Sequence, residues 1–124
     1  MTLPQSWSEW QPLDKDSTRN IPEVPGVYEI SCQSLLCTVF IGRAIGRGGL
    51  KQRVRQRVTN PKRFLSGHEK KLRKQGCLFM FRYAEAGSKK EAICWESALI
   101  NEYKSRHGHL PHGNIQTPHP SVSC

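Results

Sequence analysis

The first regular hydrophobic pattern in the chain predicts a β-hairpin. Apolar, β-branched and aromatic residues dominate residues 27–30 and 35–41, with a polar turn predicted at residues 31–34. The preceding residues 21–26 contain two prolines and a glycine, which exclude a helix there. We interpret the two runs as adjacent strands, followed by a glycine-rich loop over residues 42–49.

The pattern then changes to a helical period. Leu50, Val54 and Val58 are spaced four residues apart, which places them on one face of a helix. This helix is predicted to end at the Asn-Pro pair of residues 60–61. A second, short and basic helix is predicted over residues 67–75.

A third strand and a long helix complete the pattern. Residues 78–83 alternate, with Phe79, Phe81 and Tyr83 on one side, as in a half-buried strand. Ser88 and the glutamate three residues later form a capping box that begins a helix reaching about Arg106. The predicted order is β-β-α-α-β-α, a small domain of the α/β (α+β) class.

Three segments are predicted along the 124 residues, a length that suits one domain. Residues 1–20 form an N-terminal arm whose Trp7 and Trp10 pack on the domain. Residues 21–114 form the domain itself, and residues 115–124 form a C-terminal tail.

The charge of the chain indicates a polyanionic partner. Nineteen lysines and arginines oppose ten acidic residues, which gives a net charge of +9. Twelve of the nineteen bases lie between Arg43 and Lys74, where Glu69 is the single acidic residue. Such a patch repels itself unless a partner neutralises it, although a solvated helical face is the ordinary alternative. We favour nucleic acid over a membrane surface, because no hydrophobic face accompanies the bases.

Several other features predict a soluble protein of the cytoplasm. No apolar run is long enough to cross a bilayer, and the N-terminus has no secretory signal pattern. The five cysteines have no tight spacing, so we expect free thiols in a reducing compartment. Cys32 and Cys37 are interpreted as structural thiols rather than nucleophiles. Four histidines between His107 and His119 are interpreted as a solvated tail rather than a zinc site.

Glu96 stands out on the last helix. Helical spacing places it on one face with five apolar residues, namely Ala92, Trp95, Leu99, Ile100 and Tyr103. A carboxylate on a buried face is costly unless it is paired or binds a metal. A structural ion pair with an arginine and a Mg²⁺ site both satisfy this requirement, and composition alone does not decide between them.

Five short motifs, in this order along the chain, resemble the GIY-YIG nuclease family. They are Pro25-Gly26-Val27-Tyr28, Phe40-Ile41-Gly42, Leu50-Lys51-Gln52-Arg53, Glu96 and Pro111-His112-Gly113-Asn114. The resemblance covers residues 21–114 and implies a three-stranded antiparallel sheet flanked by helices. It also implies metal-dependent hydrolysis of a DNA phosphodiester bond.

The resemblance implies roles for individual residues. Tyr28 would position or deprotonate the attacking water, and Arg53 would bind a non-bridging phosphate oxygen. Glu96 would hold Mg²⁺, or Mn²⁺ in its place, to stabilise the leaving oxygen. Phe40, Gly42 and Asn114 would support the site, Asn114 by orienting the sheet edge or the metal. The residues expected to bind DNA are Arg43, Arg47, Lys51, Arg57, Lys62 and Arg63.

The sequence departs from the family at two positions. Phe40 stands where the second signature tyrosine is expected and lacks its hydroxyl, and Arg57 stands where relatives often carry histidine. A weak or inactive DNA-binding module on the same fold is therefore the alternative to an endonuclease. Duplex, branched and single-stranded DNA all remain candidate substrates. A homodimer would allow both strands of a duplex to be cut, because each domain carries one site.

Overall fold

The computed structural model describes residues 3–34 and 37–114. The predicted tail, residues 115–124, lies outside the described residues, as do residues 35–36 in the predicted hairpin.

The mixed α/β class predicted from the sequence is confirmed, with four strands and four helices among the described residues. The strands are β1 Gln11–Pro12, β2 Gly26–Cys32, β3 Cys37–Ala44 and β4 Phe79–Glu85. The helices are α1 Gly49–Thr59, α2 Pro61–Phe64, α3 Gly67–Lys74 and α4 Lys89–His107. The predicted order therefore lacked β1 and α2. Proline at the first helical position suits a new helix, so the Asn-Pro pair that ends α1 also begins α2.

The sheet is antiparallel, with strand order β1-β4-β2-β3, so that β2 is central and β3 lies at an edge. The hairpin of β2 and β3 has its predicted partners but longer arms. Cys32, predicted in the turn, is still paired in β2. Gly42 and Arg43, predicted in the loop, are paired in β3. Backbone pairing on both sides of β2 extends these strands beyond the apolar residues that signalled them.

The N-terminal arm packs on the domain as predicted, and it contributes the edge strand β1. The backbone of Ser8 donates to the carbonyl of Tyr83 at 2.8 Å, beside the β1–β4 pairing. The guanidinium carbon of Arg82 lies 4.2 Å from the ring centroid of Trp7 and 4.9 Å from that of Trp10. Such contacts combine apolar burial with cation–π attraction. A two-residue strand that includes a proline carries no alternating pattern, which explains why the sequence did not predict it.

The two faces of the sheet differ in what covers them. On one face Tyr28 and Phe81 are buried in a core with Leu50 and Val54 of α1. On the other face, residues such as Ile41 lie under the carboxyl half of α4. Tyr28 pairs with Gly42 on one side and Tyr83 on the other, so these three share the first face.

The buried face of α4 is rotated from the predicted one. Its buried residues are Ala92, Ile93, Ser97, Ala98 and Ile100. Trp95, Leu99 and Tyr103, predicted in the apolar stripe, are only partly buried. Ala92 and Ile100 belong to both faces, whereas Ile93, Ser97 and Ala98 are buried in place of the three bulky residues.

The expectation of free thiols is wrong for three cysteines, because Cys32, Cys77 and Cys94 are each part of a disulfide. Cys32, at the end of β2, forms a disulfide with Cys77, two residues before β4 begins. Because these strands pair directly, Cys32 opposite Phe79, the fold brings together two cysteines that are 45 residues apart in sequence. Separately, none of the helices in the described part of the chain is long and apolar enough to span a membrane.

Candidate active site

Tyr28 occupies the centre of the sheet, and its ring passes over Gly42. Only 1% of the residue is exposed. A Cβ atom at position 42 would lie 2.7 Å from the Tyr28 hydroxyl and 2.6 Å from the ring of Phe40. Glycine is therefore required here by close approach, and the tyrosine side chain fills the space that it leaves.

The Tyr28 hydroxyl is bound by a buried ion pair. Arg57 of α1 donates from Nε to this hydroxyl at 3.2 Å. Its Nη1 donates to both carboxylate oxygens of Glu69, at 3.0 and 2.8 Å. The side chains of Arg57 and Glu69 are 6% and 0% exposed. The interpretation of Arg57 as a surface contact to DNA therefore does not agree with its position in the interior.

The electrostatics of Arg57 follow from this enclosure. Burial by itself would lower the pKa of Arg57, but the oxygens of Tyr28 and Glu69 outweigh it, so the pKa is raised above its ordinary value. Glu69 also accepts from the backbone of Ser66 and completes a capping box at the start of α3. One carboxylate thus neutralises the buried cation and caps a helix.

Phe40 supports the same arrangement without a hydroxyl. The guanidinium carbon of Arg57 lies 3.7 Å from the Phe40 ring centroid, and the rings of Phe40 and Tyr28 are 6.0 Å apart. Phenylalanine is suited to this position because it offers an aromatic face to a cation. Phe40, which stands in place of the second signature tyrosine, is thus in direct contact with Arg57.

Glu96 of α4 lies beside β3 in a partly desolvated position. Its side chain is 12% exposed, and Oε1 lies 3.7 Å from Nη1 of Arg43. Burial raises the pKa of Glu96 above its ordinary value, and this effect exceeds the opposing influence of Arg43 and Arg53. Glu96 thus joins β3 to α4, and the field of Arg53 on α1 reaches it.

The free edge of β3 is covered by the segment that ends in Asn114. The backbone of Ile41 donates to Oδ1 of Asn114 at 3.0 Å, and Nδ2 of Asn114 donates back to the Ile41 carbonyl at 2.9 Å. Gly113 donates to the carbonyl of Val39 at 2.6 Å. Asn114 was expected to orient either the sheet edge or the metal, and its two bonds to the Ile41 backbone are contacts of the first kind. Satisfying the edge in this way removes unpaired backbone groups that would attract another strand.

The remaining predicted DNA contacts lie at the surface, apart from the buried cluster. Arg47, in the loop before α1, and Arg53 on α1 are exposed, and Lys51 is partly exposed. Lys62 and Arg63 are exposed on the short helix α2. The fold therefore brings Arg43 to within 3.7 Å of the Glu96 carboxylate, and the charge of Arg53 also lowers the pKa of that carboxyl group. The other cations lie along the surface.

The donor set limits which metal this site could hold. No cluster of three or more histidine, cysteine, aspartate or glutamate residues suited to a metal occurs in residues 3–34 and 37–114. Mg²⁺ needs no such cluster, because it binds through one or two carboxylates together with waters and substrate phosphate. Glu96 as a single carboxylate near Arg43 and Arg53 fits that pattern, and Mn²⁺ accepts the same oxygen ligands.

The histidines near the end of α4 form ring contacts that the sequence did not predict. The ring centroids of His112 lie 4.9 Å from those of His68 and of His109. His107 packs against Tyr103 at 4.2 Å. All three histidines of this segment are exposed, which agrees with a solvated tail, although His107 is the last residue of α4, and His119 lies beyond the described part.

Glu69 is the functional-site residue that sequence reasoning missed. Two signals could have found it: it is the single acid in the basic stretch, and it stands three residues after Ser66 in a capping-box pattern. Its hydrogen bonds with Arg57 join α3 to α1, and no local pattern in the sequence reveals such a contact.

Comparison with known proteins found no matching family model, no matching curated protein and no matching solved structure.

Proposed function

We propose that the chain is a metal-dependent endonuclease that hydrolyses phosphodiester bonds of DNA at a single GIY-YIG-type site. The observation that carries the proposal is the position of Glu96. Its carboxylate is largely desolvated beside the edge strand and lies in the field of Arg43 and Arg53. A carboxylate for the metal and two cations for the phosphate are the groups that phosphodiester hydrolysis uses.

The contact between Arg43 and Glu96 differs from a structural ion pair. It is 3.7 Å long, and the Arg43 side chain is 32% exposed. The pair of Arg57 and Glu69, by contrast, is closed at 2.8 Å and buried. A loose pair that is open to solvent on one side can exchange its partner, so Arg43 is able to turn to a phosphate while Glu96 binds a cation.

Each residue of the site then has a separate task. Arg53 is exposed and binds a non-bridging phosphate oxygen with its planar fork. Glu96 would hold the metal, and Asn114 keeps β3 in place through Ile41. When bound, Mg²⁺ supplies charge stabilisation for the leaving oxygen. Arg47, Lys51, Lys62 and Arg63 attract the DNA backbone along α1 and α2.

The alternative is a DNA-binding module without catalytic activity, and one observation favours it. Tyr28 is buried, and its hydroxyl is bound to Arg57, so access for an attacking water is restricted. Against this alternative, a desolvated carboxylate among phosphate-binding cations would repel DNA in the absence of a metal.

The partner and the location belong to the same proposal. We propose DNA as the substrate, without choosing between duplex, branched and single-stranded forms, and a homodimer where both strands are cut. The sequence features predict a cytoplasmic location, whereas the Cys32–Cys77 disulfide favours an oxidising compartment. Trapping free thiols in cells before lysis distinguishes the two compartments.

Cleavage of supercoiled plasmid, single-stranded DNA and RNA tests the function. We expect cutting of DNA with Mg²⁺ or Mn²⁺, none with EDTA, and a loss of at least 100-fold in Glu96→Gln and Arg53→Ala. Arg55→Ala, an exposed change on the same helix, is the matched control and should retain activity. DNA binding without cutting under all metal conditions would leave the binding module as the function.

A further inference from the structure

We propose that a pocket between the sheet and the carboxyl half of α4 binds one unpaired DNA base that carries an exocyclic amino group. The pocket has a volume of about 430 Å³, and its lining includes Trp7, Glu29, Arg82 and Glu102. This volume lies within the range of small-molecule sites. The inference rests on the proposed function and deepens it, because it names the form of DNA that the site accepts.

Glu29, on the central strand β2, supplies an acceptor at the floor of the pocket. Only 9% of its side chain is exposed. Arg82 donates from both Nε and Nη2 to one carboxylate oxygen, Oε2, at 3.2 and 3.1 Å. The other oxygen, Oε1, has no hydrogen-bond partner in the described part of the chain, where every fully enclosed side-chain polar atom has one. Oε1 is therefore open to the pocket and able to accept from a ligand.

Glu102 of α4 supplies a second acceptor. Burial raises the pKa of Glu29, and the negative charge of Glu102 adds to this effect, so the two carboxylates lie in each other's field. Oε1 of Glu102 binds Arg106 at 3.1 Å, and both residues line the pocket. Arg82 and Arg106 thus balance the two carboxylates. A pocket without net charge does not select a cation, so we expect a neutral ligand with N–H donors.

The walls of the pocket suit a flat ring. Trp7, Ile41, Leu99 and Tyr103 line it with apolar surface, and aromatic side chains are common platforms for unpaired bases. Cytosine, adenine and guanine carry an exocyclic amino group that can donate to a carboxylate, whereas thymine carries a carbonyl oxygen where cytosine has its amino group. Because a carboxylate accepts hydrogen bonds and does not donate them, the pocket favours amino-bearing bases over thymine.

The pocket adjoins the candidate active site on the same face of the sheet. Leu99 lies three residues after Glu96 on α4, about 4.5 Å along the helix axis. Ile41 lies two residues before Arg43 on β3, so both side chains are on the face that α4 covers. A nucleotide next to a phosphate at Arg43 can therefore place its base in the pocket, provided that the base is unpaired. This requirement favours single-stranded or branched DNA, or a base flipped out of a duplex.

The first test measures the pocket directly and does not depend on cleavage. Protein labelled with ¹⁵N at tryptophan is titrated with 2′-deoxycytidine 5′-monophosphate or with thymidine 5′-monophosphate, and Trp7→Phe assigns the indole N–H signal of Trp7. We expect this signal to shift with the cytidine nucleotide and to stay in place with the thymidine nucleotide. No shift with either nucleotide, or the same shift with both, would overturn the inference.

The second test compares bases within one DNA strand. A short oligothymidylate whose central base is changed to cytosine competes with the unchanged strand for the protein in EDTA, which prevents cutting, and fluorescence anisotropy follows the binding. The cytosine should raise the affinity by about tenfold, as for one well-placed base contact, and an abasic nucleotide at the same position should not raise it. Equal affinity for the cytosine-containing and unchanged strands would contradict the proposal.

Glu29→Gln reverses the chemistry of the contact. The amide oxygen can accept from Arg82, while the amide nitrogen, in place of Oε1, presents donors that suit thymine. The preference for cytosine should therefore fall from about tenfold to about twofold or less, and Glu102→Gln should reduce it in the same direction. A ratio of two affinities is unaffected by the changed charge of the protein, because both strands carry the same phosphates.

Glu23→Gln, an exposed change in the loop before α1, is the matched control and should keep the wild-type preference. An unchanged preference in both pocket variants would refute the role of the two carboxylates.

The outcomes separate the pocket from the nuclease. Wild-type protein that cuts DNA with Mg²⁺ but does not distinguish cytosine from thymine would refute the pocket alone. Protein that never cuts DNA, while its Trp7 signal responds to the cytidine nucleotide, would refute the nuclease and leave the pocket as a base-binding site.

Discussion

The side-chain amide of Asn114 binds the backbone of Ile41 as a neighbouring strand would. One hydrogen bond of 3.0 Å runs from the Ile41 N–H to the amide oxygen, and one of 2.9 Å returns from the amide nitrogen to the Ile41 carbonyl. A residue 73 positions away in sequence thereby closes the edge of the sheet next to the candidate site.

Asn114→Ala should lower the free energy of unfolding by about 1–3 kcal/mol, because two backbone groups lose partners at once. Urea denaturation measures this loss. Asn101→Ala, an exposed change on α4, serves as the control and should stay within about 0.5 kcal/mol of wild type. Equal stability of the two variants would show that the amide contact contributes nothing.

Gly42→Ala should destabilise the protein by about 1–3 kcal/mol, because the new Cβ overlaps the Tyr28 and Phe40 rings. The thermal midpoint reports the change. Gly67→Ala is the matched control, since nothing lies within 4 Å of a Cβ at that position. If Gly42→Ala unfolds at the wild-type temperature, the close approach of Tyr28 is not present in solution.

Glu96 should make stability fall as pH rises. Burial raises the pKa of Glu96 in the folded state above the ordinary value of 4.5, so the folded state binds the proton more tightly than the unfolded state. Its contribution is therefore fully present below about pH 4.5 and is lost as pH rises through the folded pKa. Glu96→Gln should be more stable than wild type at pH 7.5, with the difference disappearing near pH 4.

Urea titrations at several pH values measure this difference. Glu9→Gln, an exposed change in the N-terminal arm, provides the control and should follow wild type throughout. A Glu96→Gln variant that is less stable than wild type at neutral pH would mean that the Arg43 pair outweighs desolvation.

The Cys32–Cys77 disulfide should stabilise the fold by about 4 kcal/mol, given the 45-residue separation and the chain-entropy relation for such a loop. Cys32→Ser combined with Cys77→Ser should show this loss in urea. Peptide mapping without reductant checks the pairing itself. Recovery of both cysteines as free thiols from protein kept under oxidising conditions would contradict the bond.

Arg47 and Lys51 should each contribute about one counterion to DNA binding. Their double replacement by alanine should reduce the slope of log affinity against log salt by about 1.8, as expected for two lost phosphate contacts. Fluorescence anisotropy over a salt series measures the slope. Arg19→Ala, in the N-terminal arm, should leave it unchanged, and an unchanged slope in the double variant would remove these two residues from the interface.

Local patterns in the sequence were enough for most of the fold. The four-residue spacing of Leu50 and Val54 specified α1, and the serine before α4 specified where it begins, because Ser88 accepts from the backbone of Glu91. The edge strand β1 and the extension of β3 through Ala44 could not be predicted in this way. Backbone pairing with a neighbouring strand creates them, and pairing does not depend on a local hydrophobic period.

The candidate site also has features that the sequence predicts and features that it does not. The sequence shows that Glu96 lies on a largely apolar face of its helix and that basic residues are concentrated in the middle of the chain, because both features depend on spacing and composition. Arg57 shows the limit of such reasoning, since its place in a basic run indicated solvent, while the fold encloses it.

The sequence by itself determined the α/β class, the basic character and the helix that carries Glu96, all of which depend on residues close together in the chain. Only the tertiary structure decided which charges are buried and which are open. Glu69 reaches Arg57 through the packing of α3, and Cys32 reaches Cys77 through strand pairing. The physical reason is that burial and the choice of ion-pair partner arise from contacts between segments that are distant in sequence. Glu69, for example, neutralises Arg57 and not another of the many nearby arginines.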